Sequence, residues 1–359
     1  MSDLSVGVIG VGWAGQQHVA ACDVLDGVRV TALAGLEVPG REALAAQYGI
    51  ERQVDDWEEL LALDGLDAVT IAVPTFLHAP IAIAAFERGL HVLSEKPIAR
   101  NAEEAQAMVD AARAAGRVFD VGFNHRQRGD MHKLRAIVAE GRLGRPYYTK
   151  GWWLRRTGIP KRGSWFTAAE LAGGGPLIDV GVHVLDYALF LLGNPAVVAV
   201  SASTYDLLGR AGFGFSATST KTSVPGSGQF DVEDLATVFL RLADGGTLVV
   251  EASWAAHRTD GDVFGITLYG TEGGAELVVE NYVPVGDLTV FTDEDGVPAE
   301  TRLQVPPGGG HRAVLGTFVE KIRSGRWAEH DGAAAVELAR IVDACYRSAA
   351  ERREIRLDA

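Results

Sequence analysis

Val6-Gly7-Val8-Ile9-Gly10-Val11-Gly12-Trp13-Ala14-Gly15 is the stretch that decides the fold of this chain. An apolar strand running straight into a helix leaves the helix's first amide groups unpaired, and those N–H groups form a ready cradle for a pyrophosphate. Gly10 permits the tight turn, Gly12 lets backbone approach a phosphate, and Gly15 lets the helix pack on the strand. A chain with 43 glycines produces such spacings by chance. The context decides: Val6–Ile9 reads as a buried parallel strand, 16–22 as a helix start and Arg29–Ala34 as a second apolar strand, a βαβ unit. Gly10, Gly12, Trp13, Ala14 and Gly15 are therefore expected to hold a dinucleotide.

Strands and helices keep alternating to about residue 124, with helices over 56–63, 78–88 and 102–115 and strands over 67–73, 91–94 and 118–123. That rhythm is the doubly wound α/β pattern. Beyond it come a helix over 131–140, a strand over 147–154 and a helix over 176–192. Strands follow over 197–205, 234–242, 246–254, 264–270, 275–280 and 288–292, with turns at Asp244-Gly245-Gly246 and Glu272-Gly273-Gly274. These predict an antiparallel sheet. The Gly-, Ser- and Thr-rich connection Leu207–Gln229 suits a mobile lid or an oligomer arm. Closing helices over 312–322 and 333–352 carry apolar stripes that would cover the core.

Composition narrows the class. At 359 residues two domains are expected, and a net charge of −14 argues against nucleic acid or an anionic membrane as partner. Cys22 and Cys345 make no disulfide framework and read as small core residues. Met1-Ser2-Asp3 opens without a basic region or long apolar run, and no later segment reaches membrane-spanning length, so a soluble, cytoplasmic protein is expected.

Several motifs in order, Gly10–Gly15, Val73-Pro74-Thr75-Phe76-Leu77-His78, Glu95-Lys96-Pro97, Gly122-Phe123-Asn124 and Gly173-Gly174-Gly175-Pro176-Leu177-Ile178-Asp179-Val180-Gly181-Val182-His183, span essentially the whole chain. In this the sequence resembles the glucose-fructose oxidoreductase / inositol dehydrogenase / rhizopine catabolism (Gfo/Idh/MocA) family. The resemblance implies an N-terminal Rossmann NAD(P)-binding domain, here 1–124. It also implies a C-terminal α/β domain, 125–359, whose large, open, mainly antiparallel sheet forms a homo-oligomer, dimer or tetramer. It implies oxidation or reduction of a ring carbinol of a sugar or cyclitol with a nicotinamide cofactor. Val73, Pro74, Thr75, Leu77, His78, Glu95, Lys96 and Asn124 would then contact the cofactor, with Lys96 and Asn124 also reaching the substrate.

The residues themselves carry a chemistry. Moving a hydride off a secondary alcohol also requires removing the hydroxyl proton, so the site needs a base and a group that stabilises developing alkoxide. Lys96 follows the carboxyl end of a strand, where open α/β sheets bind ligands, and is expected in the second role. Asp179 and His183, four apart on a predicted helix, share a face. His183 is expected to take the proton, with Asp179 holding its imidazole or binding a neighbouring hydroxyl. Asp186 falls on the same side. The three glycines before this helix would allow a ligand to approach closely. The spacing also suits a metal, but no third ligand cluster completes a site, so none is expected.

Trp152, Trp153, Trp165 and Phe166 bracket a stretch rich in Arg and Lys over 155–164. Aromatic faces pack on the C–H faces of sugars and arginines bind hydroxyls or phosphates, so Trp153, Arg156 and Trp165 are expected at the substrate, and the resemblance implies that the loop bearing Trp165 also reaches the cofactor. The bland alternative is a core strand with solvated charges. At the end of the second strand, where an acidic residue holds the adenosine ribose, the count falls on Gly35, with Glu37 two residues on. Neither Ser nor Arg stands at 35 or 36 and Arg41 is the nearby cation, so NAD is expected over NADP, held by Glu37.

Three functions follow from the resemblance: a sugar or inositol dehydrogenase, a non-catalytic dinucleotide sensor, and a redox-neutral NAD-dependent glycosidase. The full Lys96, Asp179 and His183 set favours the first, because a sensor needs no proton acceptor.

Overall fold

The computed structural model describes residues 3–216 and 230–357. The chain divides into two compact units, Met1–Asn124 with Gly309–Ala339, and His125–Gly308 with Arg340–Ala359.

In the first unit six parallel strands, β1 (Leu4–Ile9), β2 (Val28–Ala34), β3 (Arg52–Val54), β4 (Ala68–Ile71), β5 (His91–Ser94) and β6 (Phe119–Val121), lie in the order β3-β2-β1-β4-β5-β6. They alternate with α1 (Trp13–Asp23), α2 (Val38–Tyr48), α3 (Trp57–Leu61), α4 (His78–Glu87) and α5 (Ala102–Ala115). All four residues of β4 are buried, as in a strand covered on both faces. Asn101 caps α5 by accepting the Glu104 amide at 2.9 Å, and Gly116, at φ 64°, ends it. The order reverses between β1 and β4, so the loops after β1, β4 and β5 line the edge where such sheets bind ligands. No element is expected from the sequence between 35 and 55, yet α2 and β3 form there. Pro39 in the first turn of α2 is a start signal, while Gly40 interrupts the helical pattern.

The second unit opens with α6 (Gly129–Ala139), β7 (Pro146–Arg155) and a short α7 (Ala169–Ala172). A π-helical turn, Leu177–Gly181, runs into α8 (Val182–Leu192). Then follow β8 (Val197–Tyr205), α9 (Leu207–Arg210), β9 (Leu235–Leu242), β10 (Thr247–Ser253), β11 (Asp262–Gly270), β12 (Gly274–Glu280), β13 (Asp287–Glu294) and β14 (Val297–Leu303). After two closing helices, α10 (Gly310–Ser324) and α11 (Ala333–Glu351), comes β15 (Ile355–Arg356). The strands form one sheet of nine, β14-β13-β12-β11-β7-β10-β9-β8-β15, antiparallel except for the β7–β10 pair. Helix α8 packs on β7 and β10, and α6 packs on α8. Along β7 the side chains alternate, Thr149 and Trp153 buried, Tyr148, Lys150 and Trp152 half-buried. Strand β14 escapes the sequence pattern because it is exposed along most of its length and has no apolar alternation.

Two expectations change here, and a third falls outside the described residues. The closing segment does not all belong to the second unit: Val314, Leu315 and Phe318 of α10 join Val6, Cys22 and Leu93 in one apolar cluster, so Gly309–Ala339 completes the first. Against expectation, Ala169–Leu192 is long and apolar enough to cross a membrane, but 78% of its most apolar window is buried within the protein, as in a core helix. Of the connection Leu207–Gln229, residues 217–229, on which the expected lid or arm rests, lie outside the described residues. Cys22 and Cys345 are buried thiols, and burial pushes Cys22 up to about 12.

Candidate active site

The glycine loop between β1 and α1 is shaped by contact on two sides and open on the third. A Cβ on Gly10, which sits at φ 100°, would lie 2.2 Å from the Ala72 carbonyl oxygen, and one on Gly15 would lie 1.8 Å from that of Gly10. Around Gly12, among the described residues, nothing beyond its own chain neighbours lies within 4 Å of that position. Gly12 is also the N-cap of α1, where no side chain caps the helix and no acidic residue enters the first turn. Open space at an uncapped, acid-free helix N-terminus fits a diphosphate. At the end of β2, Glu37 is exposed and starts α2. Arg41 is spent on the protein itself: its Nη1 reaches Gly35 O at 2.5 Å, Val54 O at 2.8 Å and Asp55 Oδ1 at 2.6 Å. With its cation so engaged, this corner suits the free ribose hydroxyl of NAD better than a 2′-phosphate.

Several expected cofactor contacts are structural instead. His78 is 1% exposed, with Nδ1 2.9 Å from Pro97 O and Nε2 2.9 Å from Val73 O. Burial lowers its pKa and the Val73 and Pro97 carbonyls pull it back up, with the net below the usual imidazole value; a neutral ring gives its one N–H to one of the two carbonyls, and an imidazolium gives one to each. Thr75 is buried beside it in sequence, while Val73, Pro74 and Leu77 stay half-buried. Glu95 also turns inward: its carboxylate takes a hydrogen bond from His18 at 3.0 Å and from the Lys96 main-chain N–H at 3.2 Å. Burial pushes the Glu95 carboxyl up, but the His18 hydrogen bond and neighbouring positive charge outweigh it and leave the pKa below the ordinary value. Lys96 is half-buried at the carboxyl end of β5, and Asn124, also half-buried, closes this stretch of the unit.

In the second unit Asp179 lies on the π turn and His183 on the first turn of α8. A π turn inserted in a helix is a frequent mark of functional sites. Asp179 accepts a hydrogen bond from the Trp254 indole at 2.8 Å. His183, 4% exposed, is caged by rings, His125 at 4.6 Å and Trp153 at 5.6 Å. Trp153 is corrected from a substrate contact to a wall of this cage: it is 2% exposed, stacks on Phe264 at 4.6 Å and gives its N–H to Asp262 at 2.6 Å. Asp186 is buried and gripped by both arms of Arg126, with Nε at 2.7 Å from Oδ2. Burial pushes its carboxyl up to about 6 against that pull. Arg156 donates to Arg258 O at 3.1 Å, and Trp165 is half-buried and stacked on Phe166 at 3.7 Å.

The glycines before this helix serve the protein rather than a ligand. A Cβ on Gly174 would lie 2.0 Å from the Tyr346 hydroxyl, and one on Gly175 would lie 2.1 Å from Glu233 O. The Glu233 side chain accepts Gly175 N–H at 2.9 Å, Leu177 N–H at 3.0 Å and the Tyr346 hydroxyl at 2.9 Å. Sequence reasoning missed Glu233 as the anchor of the turn bearing Asp179 and His183. It likewise missed His125 and Arg126, which directly follow Asn124 and were within reach of a closer look at that motif.

Comparison with known proteins covers both units. Residues 4–123 match the oxidoreductase family with an NAD-binding Rossmann fold (GFO/IDH/MocA), and 131–276 match the GFO/IDH/MocA C-terminal domain. The chain is 30% identical over 355 residues to D-glucoside 3-dehydrogenase of Escherichia coli (strain K12), spanning 97% of this chain and 96% of that protein. It is 32% identical over 326 residues to levoglucosan dehydrogenase of Pseudarthrobacter phenanthrenivorans, spanning 87% and 82% respectively. A solved levoglucosan dehydrogenase in complex with NADH and levoglucosan aligns with a TM-score of 0.83 at 27% identity over 100% of both chains.

Proposed function

The chain belongs to the GFO/IDH/MocA family of NAD-binding oxidoreductases that act on sugar CH–OH groups, and we propose that it oxidises a ring hydroxyl of a D-glucoside or an anhydro sugar. One observation carries this reading. The Rossmann unit ends its dinucleotide edge in Lys96, while the second unit presents Asp179 and His183 from one helical turn.

When bound, NAD supplies the acceptor for the hydride that leaves the ring carbon. Lys96 donates a hydrogen bond to the reacting hydroxyl oxygen and offsets the negative charge that grows there. His183 takes the hydroxyl proton, so that the alcohol becomes a ketone with loss of one hydride and one proton. Asp179, fixed by Trp254, orients the substrate or the imidazole. Asn124, Arg156 and Trp165 hold the ring. Enzymes of this family with dehydrogenase and reductase activity leave no need for a purely sensory role.

Lys96→Ala is expected to lower kcat by about a thousandfold while NADH binding, followed by fluorescence, persists. His183→Ala is expected to lose about a hundredfold near neutral pH and to regain part of it as hydroxide rises. Wild-type turnover in Lys96→Ala would remove the lysine from the reaction, and an unchanged pH profile in His183→Ala would make the histidine structural. Cleavage of a glycoside without NADH release would favour the redox-neutral reading.

We also propose a homo-oligomer that buries the sheet face bearing Tyr148, Lys150, Trp152 and Val249, all half-buried within a single chain. Light scattering should give a dimer or tetramer that Val249→Arg dissociates. A monomeric wild type overturns this.

A further inference from the structure

The cluster around Glu95 joins three separate stretches of the first unit. His18 on α1 is fully buried, with Nε2 3.0 Å from Glu95 Oε1. Its Nδ1 is buried with no hydrogen-bond partner among the described residues. The ring proton is therefore best placed on Nε2, where the carboxylate accepts it. Glu95 Oε2 accepts the Lys96 main-chain N–H, so the carboxylate anchors the residue that carries the chemistry. Gly122 leaves room for it, since a Cβ there would lie 3.0 Å from Oε1.

The third stretch is the start of α10. His311 places Nε2 3.7 Å from the same Glu95 Oε1, past hydrogen-bond distance. Its ring also meets Trp13 edge-on, 5.2 Å between centroids at 81°. Trp13 is the first residue of α1, on the glycine loop, and is 66% exposed. His311 therefore touches the dinucleotide loop on one side and the anchor of Lys96 on the other.

We propose that His311 is a positioning residue that couples dinucleotide binding to Lys96: with the phosphates in place its ring takes a proton and closes on Glu95, fixing the carboxylate that holds the Lys96 backbone. This rests on the NAD-dependent reading above. The groups facing His311 are Glu95 and Lys96 from the loop after β5 and His18 from α1, with Arg312 next to it on its own helix. Burial, with His18 and Lys96, lowers its pKa, while Glu95 raises it, and the net is below the ordinary imidazole value. The ring is then neutral near neutral pH in the absence of ligand. A bound diphosphate adds negative charge and favours the imidazolium. Proton uptake and dinucleotide binding must then promote each other, so affinity rises as pH falls through the His311 range.

The test is NADH fluorescence titration of the full chain between about pH 5.5 and about pH 8.5. Wild type is expected to bind about fivefold more tightly at the acid end. His311→Asn should bind weakly at every pH, and His311→Lys, with a permanent charge, tightly at every pH. At saturating NAD, His311→Asn should lower kcat and leave the sugar KM in place, with recovery in His311→Lys. A wild-type slope retained in His311→Asn overturns the coupling, as does a His311→Lys protein as weak as His311→Asn. Absence of NADH binding by wild type at all would instead count against the NAD-dependent reading.

Discussion

Gly12 and Gly175 each stand just before a helix in a glycine-rich turn, but what lies beside them differs. Among the described residues nothing beyond its chain neighbours comes within 4 Å of a Cβ at Gly12, whereas at Gly175 that atom would sit 2.1 Å from Glu233 O. At the second turn the amides of Gly175 and Leu177 are already taken by Glu233. At the first, no side chain caps α1. A glycine run reports that something comes close to the backbone, and only the fate of the neighbouring amides says whether it is a ligand or the protein.

The sharpest way to break this contrast is substitution at the two glycines. Gly175→Ala should cost about 3 kcal/mol of stability in urea denaturation, because backbone rather than a movable side chain meets the new methyl. Retained stability with loss of sugar affinity alone would make the second turn a ligand cradle too. Gly12→Val should leave stability within about 0.5 kcal/mol and weaken NADH by about a hundredfold, as bulk enters the diphosphate space. Unaltered NADH affinity would place the dinucleotide elsewhere. Glu233→Gln turns an amide N–H toward that of Gly175 and should cost about 2 kcal/mol, leaving NADH affinity of the first unit as it was.

A smaller effect separates the units by pH. His91 on β5 accepts the Val118 N–H at its Nδ1, 2.9 Å away, and burial, helped by Arg117, pushes its pKa down to about 4. The unfolded chain takes this proton near the ordinary value of about 6.5. The stabilising contribution of the neutral ring is therefore present above that pH and is lost as pH falls toward 4. His91→Gln should lose less stability across that window. An identical acid limb in both proteins would remove His91 as its source.

The doubly wound class of the first unit was legible because buried parallel strands are written as unbroken apolar runs, as in Ala68–Ile71. The helix bearing His183 was legible from period and spacing. What could not be read were partners distant in sequence. Glu233 and Tyr346 fill the Gly174–Gly175 turn, Arg126 grips Asp186, and His311 reaches Glu95 from the far end of the chain. Buried acids and histidines such as Glu95 and His78 were read as ligand contacts because the sequence gives their loop but not the direction of the side chain. Only packing reveals that both turn into the protein.

The most direct test of the whole account mixes wild-type protein and NAD with D-glucosides, levoglucosan and anhydro sugars and follows NADH absorbance. The account predicts NADH from at least one of these sugars, in amounts matching the ketone formed and absent with Lys96→Ala. A protein that binds NADH yet forms none from any of them, or forms it equally well without Lys96, would contradict it.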